Sequence, residues 1–211
     1  MRNIIAARPR PTQSVDRVLA DVIFFAALQR GIQDVDSAIR FEYTAMDVPE
    51  CGRDIYAMYE EALGTDSTFK VFNGANDGAL LYFSPQTNLA YRALHDVDHA
   101  REYRNGRGTT KLADELYLNC LMAKRVYMYA INNGYTEAQA LMTFFAVYAD
   151  TVGQVHYYRD NNDFCVDQRA NTELLLSECE GIKALTEGGV VLARLIMIGH
   201  LNTCGVHWGE L

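Results

Sequence analysis

Apolar positions recur at helical spacing along most of the chain. After Ser14, which can cap a helix, Val15, Val18, Leu19, Val22, Ile23 and Phe25 repeat every three to four residues and predict a helix to about Arg30. The pattern resumes near Asp34, beyond Gly31, and breaks at Val48-Pro49-Glu50-Cys51-Gly52. A short helix is expected from Asp54 to Leu63, stopping at Gly64. Helical spacing returns from Thr87 to about Tyr103. Thr109 or Thr110 can cap a long helix over residues 111–131, which Asn132-Asn133-Gly134 ends. Thr136-Glu137-Ala138-Gln139 has the form of a capping box and opens a helix to about Tyr158. One or two further helices fill residues 168–203, interrupted near Gly188-Gly189.

One stretch departs from this period. Phe69-Lys70-Val71-Phe72 and Ala79-Leu80-Leu81-Tyr82-Phe83 are β-prone, and Asn73-Gly74-Ala75-Asn76-Asp77-Gly78 between them is turn chemistry. They predict a small β-hairpin near residues 69–83, closed by Ser84-Pro85. Residues 1–13, with Pro9 and Pro11, read as an irregular arm. No repeat, low-complexity tract or linker divides the rest. The expected fold is mostly α: a single-domain helical bundle over residues 14–211 with the hairpin inserted.

Composition narrows the function. Apolar residues make up 49% and charged residues 22% of the 211, which favours a packed core over disorder. A formal net charge of −8 argues against general nucleic-acid binding, which needs Lys and Arg on phosphates, and is compatible with a cation site. Thirteen tyrosines and nine phenylalanines predict an aromatic core or a lined pocket. The five cysteines form no C-x-x-C, so they read as scattered reduced thiols and not as a zinc knuckle. No signal peptide or membrane span is expected: the apolar segment 190–199 is about half a span and contains Arg194. A cytoplasmic location follows as the expectation. Walker-type, G-x-G-x-x-G and G-x-S-x-G motifs are absent.

The chemistry concentrates in His95-Asp96-Val97-Asp98-His99. On a helix, His95, His99 and Glu102 share one face, Asp98 borders it and Asp96 flanks it. Ala90, Ala93, Leu94, Val97 and Ala100 form the opposite, apolar face. Two imidazoles one turn apart can grip one divalent ion, and neighbouring carboxylates can ligate it or orient the rings. The bland reading is a solvated face ion-paired to Arg92, Arg101 and Arg104.

The segment Ala93 to His99 resembles the H-D-x-D-H motif of HD-superfamily phosphohydrolases. That resemblance implies His95 and Asp96 as metal ligands and Asp150, in Tyr148-Ala149-Asp150, as a downstream one. No histidine precedes His95, so the family's upstream ligand would have to be a carboxylate such as Glu42, Asp47 or Glu50. His95, Asp96 and His99, followed by Glu115, are also similar to the H-D-x-x-H…E pattern of a helical protein family of ubiquinone biosynthesis. That resemblance gives His99 a role and implies a hydrophobic or aromatic substrate. Gly153-Gln154, Tyr157-Tyr158 and Asp167-Gln168-Arg169 resemble uncharacterised bacteriophage proteins with an HDxxH motif.

Other residues are weighed against simpler roles. Asp114 and Glu115 lie in an N-terminal turn, where acids favour the helix dipole. Asp150 and Gln154 belong to a narrow polar stripe on a helix apolar nearly all round. His156 reads as a core histidine, and His200 and His207 as part of a flexible or packed tail rather than a second metal-binding pair. The leading expectation is a metal-dependent enzyme acting on a small-molecule substrate, most concretely hydrolysing a phosphoester or nucleotide. Its divalent ion (zinc, manganese, iron or magnesium) would be held by His95, Asp96 and His99, with Glu115 or Asp150 completing the shell. Glu102 or Asp98 would move the proton, and Arg92, Arg101 or Lys111 would hold phosphate. The rival class is a non-catalytic helical interaction or inhibitor protein.

Overall fold

A computed structural model describes residues 15–107 and 111–209. The N-terminal arm and the proposed caps Ser14, Thr109 and Thr110 lie outside them. Among the described residues the order is α1 (Arg17–Gln33), β1 (Phe41–Thr44), α2 (Gly52–Gly64), β2 (Phe69–Phe72), α3 (Pro85–Arg104), α4 (Leu112–Asn132), α5 (Glu137–Asn161), α6 (Gln168–Glu178), α7 (Glu180–Thr186) and α8 (Val190–Thr203). The fold is therefore mostly α, as the hydrophobic period predicts.

Local chemistry explains where the helices begin. The Asp16 carboxylate accepts from the Leu19 N–H and caps α1. Ser84 caps α3 by accepting from the Thr87 N–H, and Pro85 takes the first helical position, where its missing donor is harmless. The Asp114 carboxylate accepts from the Lys111 N–H at the start of α4. The Thr136–Gln139 capping box forms on α5 as expected. Gly188 and Gly189 separate α7 from α8, and a further break near Cys179 makes three helices of the C-terminal segment.

The β structure differs from the expected hairpin. β2 pairs in parallel with β1, Phe41 opposite Phe69 through Thr44 opposite Phe72. The predicted helical continuation past Asp34 does not form. There the Asp36 carboxylate accepts from the Ala38 N–H in a tight turn, and the chain then extends into β1. The run 79–83 is irregular, and Leu81, Tyr82 and Phe83 are all buried. Among the described residues the sheet contains only β1 and β2, and this run takes no place in it. Ser84-Pro85 opens α3 where a hairpin end was expected.

Four long helices frame the interior. α1 packs on α3, α4 and α5, α3 also meets α4, and α4 runs antiparallel beside α5. α2 and β2 lie against α3, while α6 to α8 cover α5. One continuous apolar core links these elements, with Phe24, Phe69, Leu94, Val97, Met122, Phe144 and Met197 inside it. No described helix is long and apolar enough to cross a membrane.

Candidate metal centre

α3 is interior on both of its faces. Ala93, Val97 and Ala100 are fully buried on the predicted apolar side. On the polar side, Asp98 and His99 are only 2% and 4% exposed. The reading of that side as a solvated face is thereby excluded, and buried polar groups require partners.

His95, His99 and Glu115 supply those partners to one another. His95 Nε2 lies 3.2 Å from Glu115 Oε2, His99 Nε2 lies 3.1 Å from Glu115 Oε1, and the two Nε2 atoms are 3.1 Å apart. The i, i+4 spacing on α3 aligns the rings, and the first turn of α4 brings the carboxylate across. Donors about 2.0–2.1 Å from a zinc-sized ion stand about 2.9–3.4 Å apart at octahedral or tetrahedral angles. The three distances fall in that interval, the two from Glu115 being to different carboxylate oxygens.

Each Nε2 carries one proton or one lone pair. With both rings donating, each to its own Glu115 oxygen, the two Nε2 atoms still stand 3.1 Å apart with no proton shared between them. If one accepts from the other, it meets the carboxylate lone pair to lone pair. A cation among them would take both Nε2 lone pairs and a Glu115 oxygen at once, so the group could hold a metal ion. Glu115 remains about a third exposed, so the centre opens towards solvent.

The surroundings hold the rings in place. Tyr91, one turn before His95, stacks on it with centroids 5.3 Å apart, and the His95 and His99 rings meet edge to face at 4.6 Å. The Tyr91 hydroxyl donates to Asn119, whose amide donates to the Glu115 carbonyl at 2.9 Å. Both Nδ1 atoms are buried without a hydrogen-bond partner, so packing orients these imidazoles where an acceptor often does. Burial disfavours the His95 imidazolium, but the Glu115 carboxylate outweighs it and raises the pKa. Burial also acts to raise Glu115, yet the two imidazoles hold it well below the carboxylate range.

The remaining predicted residues separate into distinct environments. Asp96 lies outside the ligand triangle but within electrostatic reach of His95, His99 and Glu115. It makes no hydrogen bond or ion pair among the described residues, and burial pushes its carboxyl up to about 6. Asp98 pairs with Arg125 and Glu102 with Arg107, the latter at 3.2 Å, so both expected proton carriers are already engaged. Asp150 accepts from Thr172 at 2.9 Å and borders a small cavity with Tyr82, Asn88 and Tyr91. It does not join the triangle. Glu42 accepts from Thr68 on the sheet and supplies no upstream ligand. Arg92 donates to the Phe72 and Gly74 carbonyls at 3.1 and 2.6 Å, and Arg101 reaches the Asp34 carbonyl at 3.5 Å.

Tyr91 and Asn119 were not singled out from sequence. Their signal was present: Tyr91 precedes His95 by four residues, and Asn119 follows Glu115 by four. Comparison with protein-family models, curated proteins and solved structures yields no match.

Proposed function

We propose that this chain is a divalent-metal enzyme that binds its ion through His95, His99 and Glu115 and acts on a small molecule at the positions left open. The close approach of the two imidazole nitrogens to each other and to the two Glu115 carboxylate oxygens, at 3.1–3.2 Å, carries the reading. Two imidazoles and one carboxylate suit zinc, iron or manganese better than magnesium, which prefers oxygen ligands. A bound ion supplies Lewis acidity and lowers the pKa of a coordinated water. Glu115 balances charge, Tyr91 fixes the His95 ring, and the unpaired Asp96 carboxylate is the group able to accept a proton beside the centre.

Two substrate classes divide the reading. Hydrolysis of a small phosphoester draws support from Asp96, but Arg92 and Arg101 are committed to backbone carbonyls. The ligand set favours the second class, an aromatic or hydrophobic small molecule. His95, His99 and Glu115 are the residues of the H-D-x-x-H…E pattern, whereas the HD pattern would need Asp96 and Asp150 as ligands.

Metal analysis tests the proposal directly. The purified protein is expected to carry close to one divalent ion per chain. His95→Ala, His99→Ala and Glu115→Ala should each weaken binding by more than about 100-fold, beyond the effect of losing an outer-shell partner. Unchanged metal content in all three folded variants would overturn it. Turnover by the loaded protein, screened on phosphoesters and on phenolic or quinone-like rings, separates the substrate classes. Absence of turnover on both would favour the non-catalytic alternative.

A further inference from the structure

A second reactive cluster lies where α4, α5 and α8 meet, built from residues the metal centre does not use. Cys120 is buried on α4, and Cys204 caps the C-terminal end of α8, half-buried. Both converge on one backbone oxygen: the Cys120 thiol lies 3.8 Å from the His200 carbonyl, and the Cys204 N–H reaches the same carbonyl at 3.2 Å. The two thiols lie within interaction range of each other, although 84 positions separate them in sequence. The Tyr148 side chain from α5 lies beside the Cys204 sulfur, and its ring packs on His200 at 4.6 Å.

We propose that Cys204 and Cys120 form a hydroperoxide-oxidised dithiol, with Cys204 as the attacking sulfur and Cys120 as the resolving one. The roles follow from the asymmetry of exposure, Cys204 being half-buried and Cys120 buried. Cys120 and Tyr148 beside the Cys204 sulfur favour its thiolate against the effect of burial. Cys120 beside that sulfur, and buried, keeps its proton. Partial exposure also leaves Cys204 as the sulfur an oxidant can reach.

The chemistry balances without another group. The Cys204 thiolate attacks one oxygen of the hydroperoxide, an S–O bond forms, the O–O bond breaks, and the departing alkoxide takes a proton to leave as the alcohol. The Cys120 sulfur then attacks the Cys204 sulfenic acid. An S–S bond forms, the S–O bond breaks, and hydroxide leaves as water with the Cys120 proton. Two thiols are oxidised by two electrons and one peroxide is reduced.

The other three cysteines lack a thiol neighbour of this kind. Cys51 donates to Asp54 at 3.1 Å, Cys165 to the Asp167 carbonyl at 3.3 Å, and Cys179 lies against the N–H groups of Gly181 and Ile182. Oxidation should therefore be confined to one pair.

Thiol counting and peptide mapping on the full-length protein test this. Hydrogen peroxide at a dose that oxidises free glutathione should remove two of the five thiols, and dithiothreitol should restore them. Mapping under non-reducing conditions should find the Cys120 and Cys204 peptides joined. In Cys120→Ser, dimedone should label the sulfenic acid trapped at Cys204. Five persistent thiols in the wild-type protein would overturn the proposal, as would a disulfide between other cysteines. The wild-type measurement stands even if a variant fails to fold.

Discussion

Asp98 and Asp150 are both carboxylates in the interior, and their neighbours give them opposite behaviour. Asp98 is ion-paired with Arg125, while its second oxygen is buried without a partner. Its charge is matched and its role is to tie α3 to α4. Asp98→Asn should lower unfolding stability by about 2–3 kcal/mol, because Arg125 loses its counter-charge, and should leave metal content unchanged. Denaturant melts and metal analysis on one preparation check both halves. Asp150 has a hydroxyl partner and no cation. Burial pushes its carboxyl up to about 7, opposed only by the Thr172 hydrogen bond. Its folded pKa thus exceeds its unfolded one. The stability it contributes is full below about pH 4, falls by at most about 1.4 kcal/mol per pH unit on the way to 7, and is gone above that. Asp150→Asn keeps an acceptor for Thr172 and removes the titration. Its melting temperature should gain on the wild type from pH 4 to 7 and then run parallel. A constant difference across that range would contradict the assignment.

Among the elements, close approach decides which helices can pair. α7 lies on α5 at Gly181, where an added Cβ would come within 2.0 Å of the Phe145 ring. Phe145 is itself fully buried and packed edge-on against Phe144, so it has little room to yield. Gly181→Ala should destabilise the protein by about 1–3 kcal/mol, as overpacked cores do, measured by urea unfolding. The sheet follows a related logic. β2 buries Phe69 and Val71 and turns Lys70 outwards, a genuine strand pattern. Strand character specifies a pleated face but not a partner. β1, two elements back, took that position, and the nearer apolar run was drawn into the core as a plug beneath α1, with Phe83 edge-on to Phe24 at 4.9 Å.

At the scale of the whole molecule, the candidate metal centre joins α3 and α4, which pack together less extensively than α4 and α5. Its ligands would come from α3 and from the first turn of α4. An ion there binds the folded chain and has no preformed site in the unfolded one. Zinc at about 100 times its dissociation constant should add about 2.7 kcal/mol, seen as a rise in melting temperature that a chelator reverses. Glu115→Ala should abolish that response. A zinc-induced shift that survives in Glu115→Ala would place the stabilising ion elsewhere.

Local pattern alone determined most of the helices and half of the centre. The period of 3.6, the capping box at Thr136 and the glycines at 188 and 189 are properties of short stretches, and so is the alignment of His95 with His99 one turn apart. Tertiary structure decided the rest. Glu115 rather than Asp150 meets the histidines because α4 presents its first turn to α3, whereas Asp150 faces Thr172 on α6. Asp98 and Glu102 ceased to be free carboxylates once Arg125 and Arg107 reached them. The parallel β1–β2 pairing and the meeting of Cys120 with Cys204 likewise join residues distant in sequence. A hydrophobic period specifies which face turns inward, but it carries no information about which buried face it will meet.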